Sequence, residues 1–141
     1  SESTAAHLFQ YVADINAFRD DCHMAAWRQL AVTGYVWEAF GLVADGTGPT
    51  ADAIFDALAY RGYSVADYAA ALSELAARGW VSAGADGRTI TDDGRAALAR
   101  VEQATDAYFY APWSELSAVE ILEIRDDIQT LHEWLEQYAA T

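Results

Sequence analysis

The chain of 141 residues contains no lysine, a single cysteine, two prolines and only eight arginines against 22 aspartates and glutamates. Each scarcity excludes something. One cysteine, Cys22, permits no internal disulfide and no cysteine cage for a metal. The shortage of proline leaves long stretches free to be helical. The formal charge of −14 argues against a non-specific binder of nucleic acid or of anionic membranes. No window approaches 18 consecutive apolar residues, so no membrane span is expected. A basic segment followed by an apolar run is also missing, so no secretory signal is expected and the location expected is the cytoplasm. Glycine-rich phosphate loops, nucleophile elbows and His-Glu-x-x-His patterns are absent, so neither an enzyme nor a cofactor is expected.

What is present is a core. Apolar residues make up 53% of the chain, enough for one globular domain at this length. The expected organisation is a single domain, with N-terminal helices over 1–48, a helix-turn-helix with a β-hairpin over 49–100 and C-terminal helices over 101–141.

Residues 4–30 carry a helical period through Leu8, Val12, Ile15, Cys22 and Ala26, with Arg19 on the same face. Cys22 on that stripe reads as an inert core thiol. A second, very apolar helix follows over 35–44 and ends at Asp45-Gly46-Thr47-Gly48-Pro49. Thr50 is placed to cap the next helix and Gly62 to close it. Ser64 with Asp67 three residues on forms an approximate capping box for a helix that ends at Gly79. The exposed front of that helix is expected to hold Ser64, Asp67, Tyr68 and Ala71. Trp80–Ala83 and Thr89–Thr91 read as two short strands around a tip at 84–88. A helix from Asp92, with Leu98, Val101, Ala104 and Tyr108 on one face, is broken by Ala111-Pro112-Trp113.

The last segment has the clearest pattern. Ser117 and Glu120 fit a capping box. Ile121, Ile124, Ile128, Leu131, Leu135 and Tyr138 then recur at spacings of three and four, an apolar seam across most of three heptads. Such a seam packs either on its own domain or on a second subunit.

Two helices joined by a glycine turn and followed by a hairpin make a winged helix-turn-helix. The fold class expected is therefore mainly α with a small β-hairpin wing, flanked by long N- and C-terminal helices. Over 56–101, and above all in LAARGWV and DGRTITDDGRAAL, the sequence resembles the MarR-type winged-helix regulators. The segments FRDDCHMAAW, with Arg19, Asp21 and His23 in an R-x-D-x-H pattern, and YFYAPW look like pieces of a poorly characterised bacterial helix-turn-helix family. The MarR resemblance implies a homodimer in which the first and last helices interlock, so it favours the seam as a two-fold interface. It also implies transcription regulation through DNA and a small-molecule effector. Asp86-Gly87-Arg88 is similar to the Asp-x-Arg of MarR-type wings.

The residues weigh that implication. Residues 1–48 hold two Arg and six acids, net −4; residues 49–100 hold five and seven, net −2; residues 101–141 hold one and nine, net −8. The winged-helix segment is thus nearly balanced, and selective, weak or conditional DNA binding is compatible with it. Ser64, Tyr68, Arg78 and Arg88 are the candidate DNA contacts. Arg88 inserts into a minor groove in that reading; it pairs with Asp86 or faces solvent in the plainer one. Arg19, Asp21, His23 and Trp27, with Trp113, are candidates for a ligand pocket; an ion-pair network within the first helix is the alternative. Asp20 and His23 supply too few ligands for a metal. The alternative to a regulator is a winged helix reused for protein interaction or small-molecule binding without DNA.

Overall fold

The computed structural model describes residues 2–139, with side chains described for residues 6–137. The helices are α1 (Glu2–Arg28), α2 (Gly34–Ala44), α3 (Ala51–Leu58), α4 (Val65–Ala77), α5 (Asp92–Tyr110) and α6 (Ala118–Ala139). The strands are β1 (Val81–Gly84) and β2 (Gly87–Ile90), and short 3₁₀ turns occupy Ala59–Arg61 and Ala111–Glu115. This is the mainly helical winged helix-turn-helix expected. The chain divides into two compact units, one reaching to Tyr108 and one beginning at Phe109.

The core of the first unit is built from α2, α3, α4 and β1. Val36, Ala39, Phe40 and Val43 of α2 meet Ile54 and Leu58 of α3, Tyr68, Leu72 and Leu75 of α4, and Trp80 and Val81. The local signals act as their chemistry requires. The Thr50 hydroxyl accepts from the Ala53 amide (3.2 Å), and Gly62 takes the left-handed conformation that closes the turn before α4. At the start of α4, Ser64 Oγ accepts from the Asp67 amide and Asp67 Oδ2 accepts from the Ser64 amide (2.8 Å), a complete capping box.

The wing pairs antiparallel from Val81↔Ile90 to Gly84↔Gly87, so its tip is the two residues Ala85 and Asp86. Gly87 has φ +135°, and a Cβ there would lie 2.3 Å from the Pro49 carbonyl oxygen. The next amide, that of Arg88, donates to the same oxygen (2.7 Å). The tip end of β2 is thereby held against the loop before α3.

The Thr-Asp-Asp-Gly-Arg run after the wing has a physical basis at each position. Thr91 Oγ1 donates to the Gly79 carbonyl (2.6 Å) and accepts from the Gly94 amide (3.0 Å). A Cβ on Gly94 would stand 2.2 Å from the Trp80 carbonyl oxygen. Arg95 pairs with Asp92 (2.7 Å) one turn back.

The buried line of α5 differs from the expected one. It runs through Ala97, Val101, Thr105 and Phe109, while Tyr108 is exposed. A polar residue, Thr105, holds an inward position because its hydroxyl donates to the Val101 carbonyl (2.8 Å).

In the second unit, Phe109 packs edge-on to Tyr110 and tilted to Trp113. Ser117 and Glu120 form the expected capping box for α6: Glu120 Oε2 accepts from the Ser117 amide (2.8 Å) and the Ser117 hydroxyl accepts from the Glu120 amide (3.3 Å).

Candidate functional site: the winged helix, a cavity beside it and the α1–α5 network

The four residues expected at a DNA interface separate in the structure. Tyr68 is fully buried, as is Ala71; both were expected on the exposed front of α4. The reason is composition. The helix is rich in alanine, so its large side chains go inward with Ala71 among them, and Ala66, Ala69, Ala70 and Ala77 are left outside. Tyr68 stands against Tyr35 and Tyr63 (ring centroids 6.4 and 6.1 Å). Burial, helped by the Glu38 charge, pushes its phenol pKa up, and its hydroxyl has no hydrogen-bond partner among the described residues. The outward positions of α4 are Ala66, Asp67, Ala69, Ala70, Ser73 and Ala77. The Ser73 hydroxyl is spent on the Ala69 carbonyl (2.9 Å), and the Ser64 hydroxyl on Asp67. The helix presents no cation to a base edge.

Arg78 is structural. Its guanidinium donates to the carbonyls of Leu30 (3.0 Å) and Ala31 (2.9 Å), and pairs with Glu74 (2.8 Å). It also lies over the Trp80 ring. Ala31 has a positive φ of 52°, a conformation an L-residue adopts at a cost. Arg78 therefore clamps the strained turn between α1 and α2 to the end of α4, and its donors are not free for phosphate. Arg61 pairs with Glu38. Arg88 is different: as the second residue of β2, close to the tip, its side chain forms no hydrogen bond or ion pair among the described residues, Asp86 included.

A cavity of about 600 Å³ lies where the C-terminal end of α1 meets α2 and the turn before α4. Trp27, Tyr35, Trp37 and Tyr63 form its aromatic walls, with Arg28, Glu38 and Arg61 as its charged groups. Trp27 and Trp37 are parallel, 6.0 Å between centroids. Tyr35 stacks on Tyr63 at 4.7 Å. Arg28 lies 5.8 Å from the Trp27 centroid and has no ion pair among the described residues. Of the expected ligand-pocket residues only Trp27 lines this cavity. The cavity's remaining walls carry no sequence signal, because they come from three separated segments, none of which holds a motif.

Arg19 and His23 face α5, and the pairing runs between helices, not within α1. Arg19 reaches Glu102 (3.2 Å) and, more distantly, Asp106 (3.9 Å). His23 Nδ1 lies 3.2 Å from Thr105 Oγ1 and 3.5 Å from Glu102 Oε1. The indole of Trp37 donates to its Nε2 (3.4 Å). Asp21 is exposed and takes no part. Glu102, Thr105 and Asp106, at spacings of three and four on α5, were the available signal for this network. Cys22 is buried, and no His, Cys, Asp or Glu cluster suited to a metal occurs among the described residues.

Trp113 belongs to the second unit. There it lines a groove of about 390 Å³ with Tyr110, Ile121, Ile124, Arg125 and Ile128. The seam is exposed: Ile121 44%, Ile124 37%, Ile128 62%, Leu135 50%. Leu131 is partly covered, and the side chain of Tyr138 lies outside the described residues. On α1, Leu8, Phe9, Tyr11, Val12 and Ile15 are likewise exposed. No helix among the described residues is long and apolar enough to cross a membrane.

The architecture is shared with solved regulators. The chain is similar to the transcriptional regulator Tm0710 from Thermotoga maritima (TM-score 0.67, 15% identity, 97% of each chain covered). It is similar to a MarR family protein from Bacillus stearothermophilus (TM-score 0.60, 14% identity, 96% of this chain and 98% of that one). It is also similar to the Mycobacterium tuberculosis MarR family protein Rv2887 solved in complex with DNA (TM-score 0.52, 18% identity, 88% and 96%). The fold is thus the winged helix-turn-helix of MarR-type proteins. A family model described as a helix-turn-helix family matches residues 2–141, and the chain belongs to that family. No curated protein matches it.

Proposed function

We propose that this protein is a cytoplasmic transcription regulator of the MarR type, a homodimer that binds DNA weakly or conditionally and has no enzymatic activity. The observation that carries the reading is the wing. Arg88 stands beside a two-residue tip, on a strand pinned to the loop before α3, with its guanidinium uncommitted among the described residues. An arginine so placed suits insertion into a narrow minor groove, where recognition follows groove shape. With Tyr68 buried and Arg78 engaged, Arg88 is the principal contact, and the alanine face of α4 adds close approach without base-edge hydrogen bonds.

The dimer reading is supported by the apolar faces left open on α1 and α6, because exposed apolar strips of that length mark interaction surfaces. A second copy supplies the chemically matched partner. The cavity beside α2 is of the size that takes a small molecule, and its aromatic walls and Arg28 suit an effector with a flat apolar body.

One observation favours a second reading, a winged helix that binds protein or small molecules but not DNA: the outward face of α4 has no cation and carries Asp67. Selection of genomic fragments with purified protein at two salt concentrations decides. Enrichment that falls with salt and is lost in Arg88→Ala is expected. No enrichment, or enrichment indifferent to Arg88→Ala, overturns the DNA reading. Light scattering tests the dimer, and a monomeric wild type defeats it.

A further inference from the structure

The Arg19/His23 network has a property that neither DNA binding nor dimerisation uses. An indole N–H can only donate, so the hydrogen bond from Trp37 makes His23 Nε2 an acceptor. That assigns the ring proton to Nδ1. The Thr105 hydroxyl has spent its hydrogen on the Val101 carbonyl, so its oxygen receives the proton of Nδ1. The result is a directed chain from α2 through α1 to α5: Trp37 to His23, His23 to Thr105, Thr105 to Val101.

A second proton on the imidazole must sit on Nε2. It then points at the Trp37 N–H, and two donors face each other where a hydrogen bond had been. The indole has no lone pair with which to answer. The other charged groups around the ring pull the opposite way. From α5 come Glu102, 3.5 Å away, and Asp106; from α1 comes Arg19, 3.2 Å from Glu102 and 3.9 Å from Asp106; Glu38 of α2 is occupied by Arg61. With a neutral imidazole, Arg19 alone opposes the two α5 carboxylates. The imidazolium balances them.

Trp37 is also a wall of the cavity, parallel to the Trp27 wall. We infer that His23 is a proton-operated latch on that cavity: neutral, it holds the Trp37 indole in place, and protonated, it releases the indole and turns to Glu102. Histidine is the side chain whose charge ordinarily changes between about pH 5 and 8, and that is the range in which the latch is to be tested.

The test needs neither DNA nor an effector, so its failure is distinct from failure of the regulator reading. The protein is labelled with ¹⁵N at the tryptophan indoles, the Trp37 signal is assigned by Trp37→Phe, and spectra are recorded from pH 5 to 8. The expected result is a Trp37 N–H resonance that moves with the same midpoint as the His23 ring signals, while Trp80 and Trp134 do not follow. In His23→Gln the Trp37 resonance should be flat. A Trp37 signal flat in the wild type, or moving equally in His23→Gln, overturns the latch. Glu102→Gln keeps the test open if His23→Gln fails to fold: removing the partner of the imidazolium should move the shared midpoint to lower pH, and an unchanged midpoint overturns the proposal.

Discussion

Helices α4 and α6 begin alike and end differently. Each opens on a serine capping box and each carries an apolar stripe at spacings of three and four. On α4 the stripe is Tyr68, Leu72 and Leu75, and all of it is buried. On α6 the described stripe is Ile121, Ile124, Ile128, Leu131 and Leu135, and all of it but the partly covered Leu131 is exposed. Periodicity therefore reports that a helix has an apolar face, and says nothing of which surface will cover it. In α4 the covering surface is supplied within the chain by α2 and α3. For α6 the proposed cover is a second copy.

The sharpest break in that comparison comes from truncating one residue on each side. Phe40 is fully buried and packs on Trp37 and Trp80 at ring-centroid distances of 5.7 and 5.2 Å. Phe40→Ala should cost about 3–5 kcal/mol in denaturant unfolding. The same experiment on Ile128→Ala, done at a concentration low enough to hold the protein as a monomer, should show almost no change. A large loss in the monomer would mean that α6 is covered from within its own chain.

Next in size is the effect on assembly. Ile128→Asp places a charge in the middle of the exposed stripe, where burial against a partner leaves it unpaired. Light scattering should give a dimer for the wild type and a monomer for Ile128→Asp at matched concentration. Leu75→Asp, on the buried stripe of α4, should instead abolish folding. If Ile128→Asp remains dimeric, the interface lies elsewhere and the exposed stripe of α6 needs another occupant.

What could be read in the sequence divides along the same line. Short-range devices were legible because donor and acceptor lie within four residues: the Thr50 cap, the turn glycines Gly62 and Gly79, and both serine boxes. The run from Thr91 to Arg95 was legible as a resemblance, although the close approach that demands Gly94 was not. Long-range partners were illegible. Arg78 looked like a free cation at a helix end, and the Leu30 and Ala31 carbonyls it binds lie 48 and 47 residues away. Tyr68 was misplaced because the alanines around α4 blur the direction of its apolar moment. Thr105 was passed over because it is polar, yet it is buried with its hydrogen bonds satisfied locally and by His23. The cavity drew only Trp27 in advance, since its walls come from three segments with no shared motif.

The smallest expected effect separates the two helices by acid. The Ser64 hydroxyl and then the Ser64 amide hold the Asp67 carboxyl below the ordinary aspartate range. The Ser117 amide and then its hydroxyl do the same for Glu120. A carboxylate whose pKa is lower in the folded state stabilises fully above its unfolded value, and that contribution is lost as pH falls through the folded value. Both helix starts should therefore loosen below about pH 4, near the unfolded carboxylate pKa values. The consequences differ. The cap of α4 anchors a helix in the core, so Ser64→Ala should lower global stability by about 1 kcal/mol and weaken its acid dependence. Ser117→Ala should leave the unfolding midpoint of the monomer almost unchanged and appear only as faster amide exchange in the first turn of α6. Equal losses of global stability from the two substitutions would show that α6 is as deeply tied into the fold as α4, and would remove the distinction drawn between a helix covered by its own chain and one waiting for a partner.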